Sequence, residues 1–439
     1  MGESVDELSR LLAQPSVAAQ NLGIEDCAEL VADALKLRGF SVSIMPTGGS
    51  PVVFGERKGQ GDATLISYNH YDVQPAEPLE LWDSPPFEPT LRDGRLYARG
   101  VSDNKGNFTA RLHAIDAILD REGELPCNVK FIVEGEEEIG SVNLEPFVRA
   151  NKDLLAGDVC VWEVGGVDHE NAPIQMLGLR GICYVELRVR TATQDVHSGT
   201  GGSLFPNAAW RLVWALSTLK DPCENILLPG FYESVIPPTP REKELLAQLP
   251  DMRAHYREVY GLEGFLKGVD DPLELAIQAV YQPTCTICGL NSGYQGEGSK
   301  TVLPAEASAK VDFRLVPDQR PQQVLAQLRE HLDAHGFSDI EIVDLGGNPG
   351  ARTDPDHPAV GLAVRAAEDV YDKPTRINPM IGGSGPNFMF QEYLGVPIIS
   401  NGANDADSRA HAPNESISLD LYAKAAKHFA RILMLMRDY

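Results

Sequence analysis

Three short apolar runs in this chain each lead directly into ionisable side chains. Ala63-Thr-Leu-Ile-Ser-Tyr68 comes just before His70, Val129-Lys-Phe-Ile-Val133 runs into Glu134, Glu136, Glu137 and Glu138, and Asp158-Val-Cys-Val-Trp162 ends at Glu163. Runs of this length predict buried parallel strands. Open α/β sheets collect their ligands beyond the carboxyl ends of the strands, so three separate strand ends can converge on one site. Between them, Asp103 stands before a helical pattern with Phe108, Leu112, Ile115 and Leu119 on one face. It is placed to cap that helix while its carboxylate points at a metal.

From Ile182 the pattern changes. Tyr184–Arg190 and Ala307–Leu315 alternate, whereas Asn207–Leu219 and Pro321–His335 read as helices, which predicts an α+β insert. Pro229–Pro283 is rich in Pro and charge, with helical patches at Arg241–Leu249 and Met252–Tyr260, and elaborates that insert. A helix over Ala359–Tyr371 and a strand over Val396–Ser400 resume the first style. The expected fold class is α/β with a central, mostly parallel sheet, in a discontinuous domain over 1–181 and 350–439. It is split by an α+β, ferredoxin-like lid over 182–349.

A formal net charge of -25 disfavours nucleic acid and anionic membranes as partners, because both reward clustered Lys and Arg; a cationic metal suits it better. Seven cysteines, an odd and scattered set, form no disulfide framework, and the first residues lack a charged and then apolar leader. A reduced, cytoplasmic location is expected. No run approaches the roughly 18 apolar residues of a membrane span.

Imidazole and carboxylate are the ligands of hydrolytic zinc, and a spare carboxylate beside a ligand can serve as a base. His70 alone reads as an ordinary histidine, but Asp72 sits two residues on, where its carboxylate can orient the imidazole. The Glu134–Glu138 run alone reads as a solvated acidic face; following a buried strand, it needs a cation to offset its repulsion.

The motifs His70-Tyr-Asp-Val-Gln-Pro75, Trp82-Asp-Ser-Pro-Pro-Phe87, Asp93-Gly-Arg-Leu-Tyr-Ala-Arg-Gly100, the glutamate cluster, Gly178-Leu-Arg-Gly181, Asp195-Val-His-Ser-Gly199, Lys300-Thr-Val-Leu-Pro304, Asp312-Phe-Arg-Leu-Val-Pro317 and His411-Ala-Pro-Asn-Glu415 occur in that order. Together they resemble the dizinc peptidase and deacylase family of carnosinase-type dipeptidases, glutamate carboxypeptidases, aminoacylases and succinyl-diaminopimelate desuccinylases. The resemblance implies that Asp103 bridges two zinc ions, with His70 and Glu163 completing one and Glu138 and His411 the other. It implies Glu137 as general base, with Asp72 supporting His70. His197 would enter the partner subunit's site of a homodimer to hold the oxyanion. Arg314, Thr301 and Ser384, with Gly383 and Asn291, would bind the substrate and its carboxylate. Manganese or cobalt also suits so carboxylate-rich a site.

Glu163 stands where carnosinase-like dipeptidases usually have Asp, and Ile381 where they tend to have an acid able to pair with a free amine. Asn104, Asp in many relatives, changes only hydrogen bonding behind the ligands. Gly293–Thr301 fails as a phosphate loop because Ser299 intrudes before the lysine, and Cys285 with Cys288 lacks a second ligand pair. His331 and His335 lack the glutamate of a helical zinc motif and read as solvated. The expected protein is a metallopeptidase, a dipeptidase or carboxypeptidase acting on a short peptide with a free α-carboxylate. An N-acyl-amino-acid deacylase is the alternative, and a metal-free binding dimer a remote one.

Overall fold

The computed structural model describes residues 2–439. The chain forms two compact units, Met1–Gly178 with Arg352–Pro379 and Pro386–Tyr439, and Leu179–Ala351 with Met380–Gly385.

In the first unit a six-stranded sheet runs in the order Ser41–Met45, Val52–Arg57, Asn128–Glu134, Thr64–His70, Val159–Trp162, Ile398–Ser400. The last four strands are mutually parallel and the first two pair antiparallel along one edge. The three apolar runs of the sequence are therefore adjacent strands pointing the same way. Their side chains are buried on both faces, which explains why they read as continuous rather than alternating. Helices Ile24–Leu37, Lys105–Glu122, Pro358–Tyr371 and Leu419–Leu435 share their core, with Val31, Leu112, Ala363 and Phe429 packed together with Phe131 and Val161 of the sheet. Ser418 caps the last helix through the N–H of Leu421, and Pro358 opens the preceding one.

The second unit is a β-α-β-β-α-β arrangement whose sheet runs Thr284–Ser292, Glu306–Leu315, Gly181–Arg190, Glu341–Asn348, all antiparallel, the ferredoxin-like order. Alternation decides its faces. Cys183, Val185 and Leu187 with Val311, Phe313 and Leu315 pack under helices Ala208–Leu219 and Pro321–Ala334. The alternate positions of the central strand, Ser308, Lys310, Asp312 and Arg314, are more exposed. The elaboration carries helices Pro240–Leu246, Arg253–Tyr260 and Pro272–Tyr281, and Leu246, Ile277 and Tyr281 make a small core with Met380.

One expectation on this unit is overturned. His331 is not solvated: it is 1% exposed, its Nε2 is 3.0 Å from Thr218 Oγ1, and its ring stacks on His335 at 4.1 Å. It falls on the apolar stripe of its helix with Val324, Leu328 and Leu332, and that stripe buries it.

Candidate metal centre

His70 ends its strand opposite Glu134, fully buried at the carboxyl edge of the sheet. Its Nε2 meets Asp103 Oδ1 at 2.9 Å. Its Nδ1 lies 3.0 Å from the Asp72 carbonyl oxygen and 3.4 Å from the Asp72 carboxylate, so the carbonyl, not the expected carboxylate, is the nearer acceptor. The carboxylate instead accepts the backbone N–H groups of Glu137 at 3.2 Å and Glu138 at 3.0 Å. Asp72 thereby fixes both the imidazole and the turn Glu137–Ile139.

Asp103 does not cap its helix. That position falls to Asn104, which makes no side-chain cap bond. Both Asp103 oxygens are directed elsewhere: Oδ2 lies 3.1 Å from His411 Nε2, and the same nitrogen is 3.1 Å from Glu138 Oε2. The segment is held by Glu415, whose Oε1 accepts from Ser102 N, Ser102 Oγ and Asp103 N at 2.8, 2.9 and 3.1 Å. Its Oε2 accepts from Arg99 and Gly100 N at 2.7 and 2.9 Å. Because Glu415 follows His411 by four positions, one buried carboxylate ties the Asp103 segment to the His411 loop. Gln74 Nε2 donates to Glu138 Oε2 at 2.9 Å. Sequence reasoning gave no role to Gln74 or Glu415, although both lie inside quoted motifs, which was the available signal; Asn104, expected to act in hydrogen bonding behind the ligands, donates to the Glu163 carbonyl oxygen at 2.7 Å.

Carboxylates from Asp72, Asp103, Glu137, Glu138 and Glu163 thus meet two imidazoles, His70 fully buried and His411 on the solvent side. Burial, with the neighbouring Glu163 carboxylate, drives the Glu137 carboxyl well above the usual carboxylate range. Burial also takes Glu163 up to about 8, helped by Asp103 and Glu134 and opposed by His70. Hydrogen bonds to Asp103 and Glu138 raise His411 to about 10. The protein alone balances this charge only by holding protons. Glu163 Oε2 is buried with no hydrogen-bond partner, and one ligand atom each from His70, Asp103 and Glu138 lies within 4.8 Å of the others. Zinc ligands sit about 2 Å from the ion, which spaces them about 3.3 Å apart in a tetrahedral shell, close to the separations seen here. The donor set suits a divalent metal: the structure gathers His70, Asp103 and Glu138, with His411 Nε2 beside both carboxylates, whereas the Glu163 carboxylate acts on His70 and Asp103 electrostatically without being among the gathered ligand atoms.

The second unit places its residues in two groups. Arg314 donates to Ser384 Oγ at 2.8 Å, and Gly383 O accepts from Arg180 N at 2.9 Å. His197 Nε2 lies 3.3 Å from Thr301 Oγ1. Arg314 stands opposite Thr284, whereas Asn291 stands opposite Ser308, and His197 pairs with Val302, before the strand Glu306–Leu315 begins. The eight residue-to-residue steps from Glu306 to Arg314 span about 26 Å of extended chain. Thr301, expected beside Arg314 and Ser384, is therefore at the opposite end of the strand with His197, and Asn291 is also displaced toward that end.

The profile of Peptidase family M20/M25/M40 matches residues 66–435. The chain is 31% identical to the human Beta-Ala-His dipeptidase over 98% of its own length and 85% of that protein. It is 28% identical to the Cys-Gly metallodipeptidase dug1 of Schizosaccharomyces pombe, covering 97% of this chain and 94% of that one. The crystal structure of the M20 family metallo-carboxypeptidase Sso-CP2 from Sulfolobus solfataricus superposes with a TM-score of 0.95 at 37% identity, over 100% of both chains. With its mostly parallel sheet, separate antiparallel unit and ordered motifs, the chain belongs to peptidase family M20/M25/M40 and is a metallohydrolase of its dipeptidase and carboxypeptidase group.

Proposed function

We propose that the protein is a two-zinc exopeptidase that releases the C-terminal residue of a short peptide. The observation that carries this is Asp103, whose two carboxylate oxygens each face a different imidazole, His70 and His411. His70, Asp103 and Glu163 would hold one divalent ion and Asp103, Glu138 and His411 a second, and when bound the pair would supply Lewis acidity and lower the pKa of water toward neutrality. Glu137, held by Asp72 through its backbone N–H, takes the proton from the attacking water and returns it to the leaving nitrogen. Arg314, steadied by Ser384, receives the substrate α-carboxylate.

His197 completes the site from a second copy of the chain, stabilising the developing oxyanion, with Thr301 beside it. The separation of this pair from Arg314 along one strand supports that reading. So does helix Ala208–Leu219, which exposes Trp210 and Trp214 as a stacked pair.

Ile381 offers no charge to a substrate amine. Matched dipeptides with free or acetylated amines, assayed for release of the C-terminal residue, test this. Acetylation is expected to leave the rate within about tenfold, while amidation of the C-terminus abolishes cleavage. A strong preference for the free amine would require an amine-binding acid elsewhere. Hydrolysis of N-acetyl amino acids in preference to peptides would establish the deacylase reading, which Ile381 also favours. Arg314→Lys is expected to raise KM by about 10- to 100-fold with a smaller change in kcat, as a lost guanidinium fork should. An unchanged KM would remove Arg314 from the carboxylate site.

A further inference from the structure

Arg111 is a fully buried guanidinium whose hydrogen-bond acceptors are all neutral. Its Nη1 donates to Tyr68 O at 2.8 Å, Asn69 Oδ1 at 2.9 Å and Ser67 Oγ at 3.1 Å. Its Nη2 donates to Trp162 O and, at 2.8 Å, to Asn401 O. One side chain thus binds the carboxyl ends of the strands Thr64–His70 and Val159–Trp162 and the residue following Ile398–Ser400. A buried cation with no carboxylate among its hydrogen-bond acceptors is costly, and here six neutral acceptors hold it.

The network continues toward the ligands. Asn69 Nδ2 donates to Asn104 Oδ1 at 2.5 Å, and Asn104 Nδ2 donates to Glu163 O at 2.7 Å. Asn69 adjoins His70, Asn104 adjoins Asp103, and the final acceptor is the backbone of Glu163 itself. Glu138 is held by Asp72 and Gln74, and the His411 loop by Glu415; of these, Asp72 also meets His70 and Glu415 also holds the Asp103 segment. No hydrogen bond of the Arg111–Asn69–Asn104 chain reaches Glu138 or His411.

We infer that Arg111, acting through Asn69 and Asn104, is a positioning residue for the His70–Glu163 half of the centre alone. It sets the spacing of those two ligands for one ion, while Asp103, next to Asn104, is shared with the Glu138–His411 half. This rests on the two-metal reading above. Substituting such supporting partners typically costs 10- to 100-fold in metal affinity.

The test is calorimetric titration of zinc into metal-free protein, with thermal unfolding of each variant as the check on folding. Glu163→Ala identifies which binding class belongs to the His70–Glu163 half. Arg111→Lys is expected to weaken that class by about 10- to 100-fold and leave the other unchanged. Asn104→Ala, which removes the two links beyond Asn69 and leaves Arg111 in place, should act in the same direction and decides the matter where Arg111→Lys does not fold. If Glu163→Ala leaves all zinc binding intact, the two-metal reading itself fails. If Glu163→Ala removes one class while the folded Arg111 and Asn104 variants leave it untouched, or weaken both classes alike, the positioning role is overturned.

Discussion

Glutamine in place of Glu137 is expected to leave the metal content intact and lower kcat by about three orders of magnitude, within the range for loss of a positioned acid–base group. The backbone N–H of Glu137 is held by Asp72, so the amide can occupy the same place without disturbing either imidazole. What is lost is proton transfer: a partly buried carboxylate whose proton affinity is raised by desolvation and by Glu163 becomes a group that cannot titrate. Metal analysis alongside single-turnover kinetics checks both parts. Turnover within tenfold of the unaltered protein would remove Glu137 as the base.

His197→Ala and Asp103→Ala should each abolish turnover alone, yet recover activity when their subunits are exchanged. In a two-fold dimer with shared sites, each mixed dimer holds one intact site, so equal mixing restores about a quarter of full activity. The physical basis is the length of strand between His197 with Thr301 at one end and Arg314 with Ser384 at the other. Native mass spectrometry confirms that subunits have exchanged. Silence from a mixture shown to contain mixed dimers would mean that one chain supplies its whole site.

The sequence reveals the strands that carry His70, the glutamate cluster and Glu163 because burial on both faces leaves a continuous apolar run, legible without any partner. It also shows the alternating strands of the second unit, since one face there is packed and the other exposed. Grouping His411 with Asp103 depended on resemblance, because 308 positions separate them and no local pattern announces the contact. The support behind the ligands was less legible still. Asn69, Asn104 and Arg111 sit in strand, loop and helix, and only the folded chain shows that their amide and guanidinium groups meet. His331 was misread for a related reason: a polar residue on an apolar stripe is buried when a hydroxyl from another helix, here Thr218, satisfies it.

The small core of Leu246, Ile277, Tyr281 and Met380 has a practical meaning for protein engineering. Met380 opens the short segment that presents Ser384 to Arg314, and its apolar partners come from the elaboration rather than from the sheet. Substitutions at Leu246 and Ile277 therefore reach the Ser384–Arg314 contact from behind, through Met380, while leaving both polar side chains as they stand.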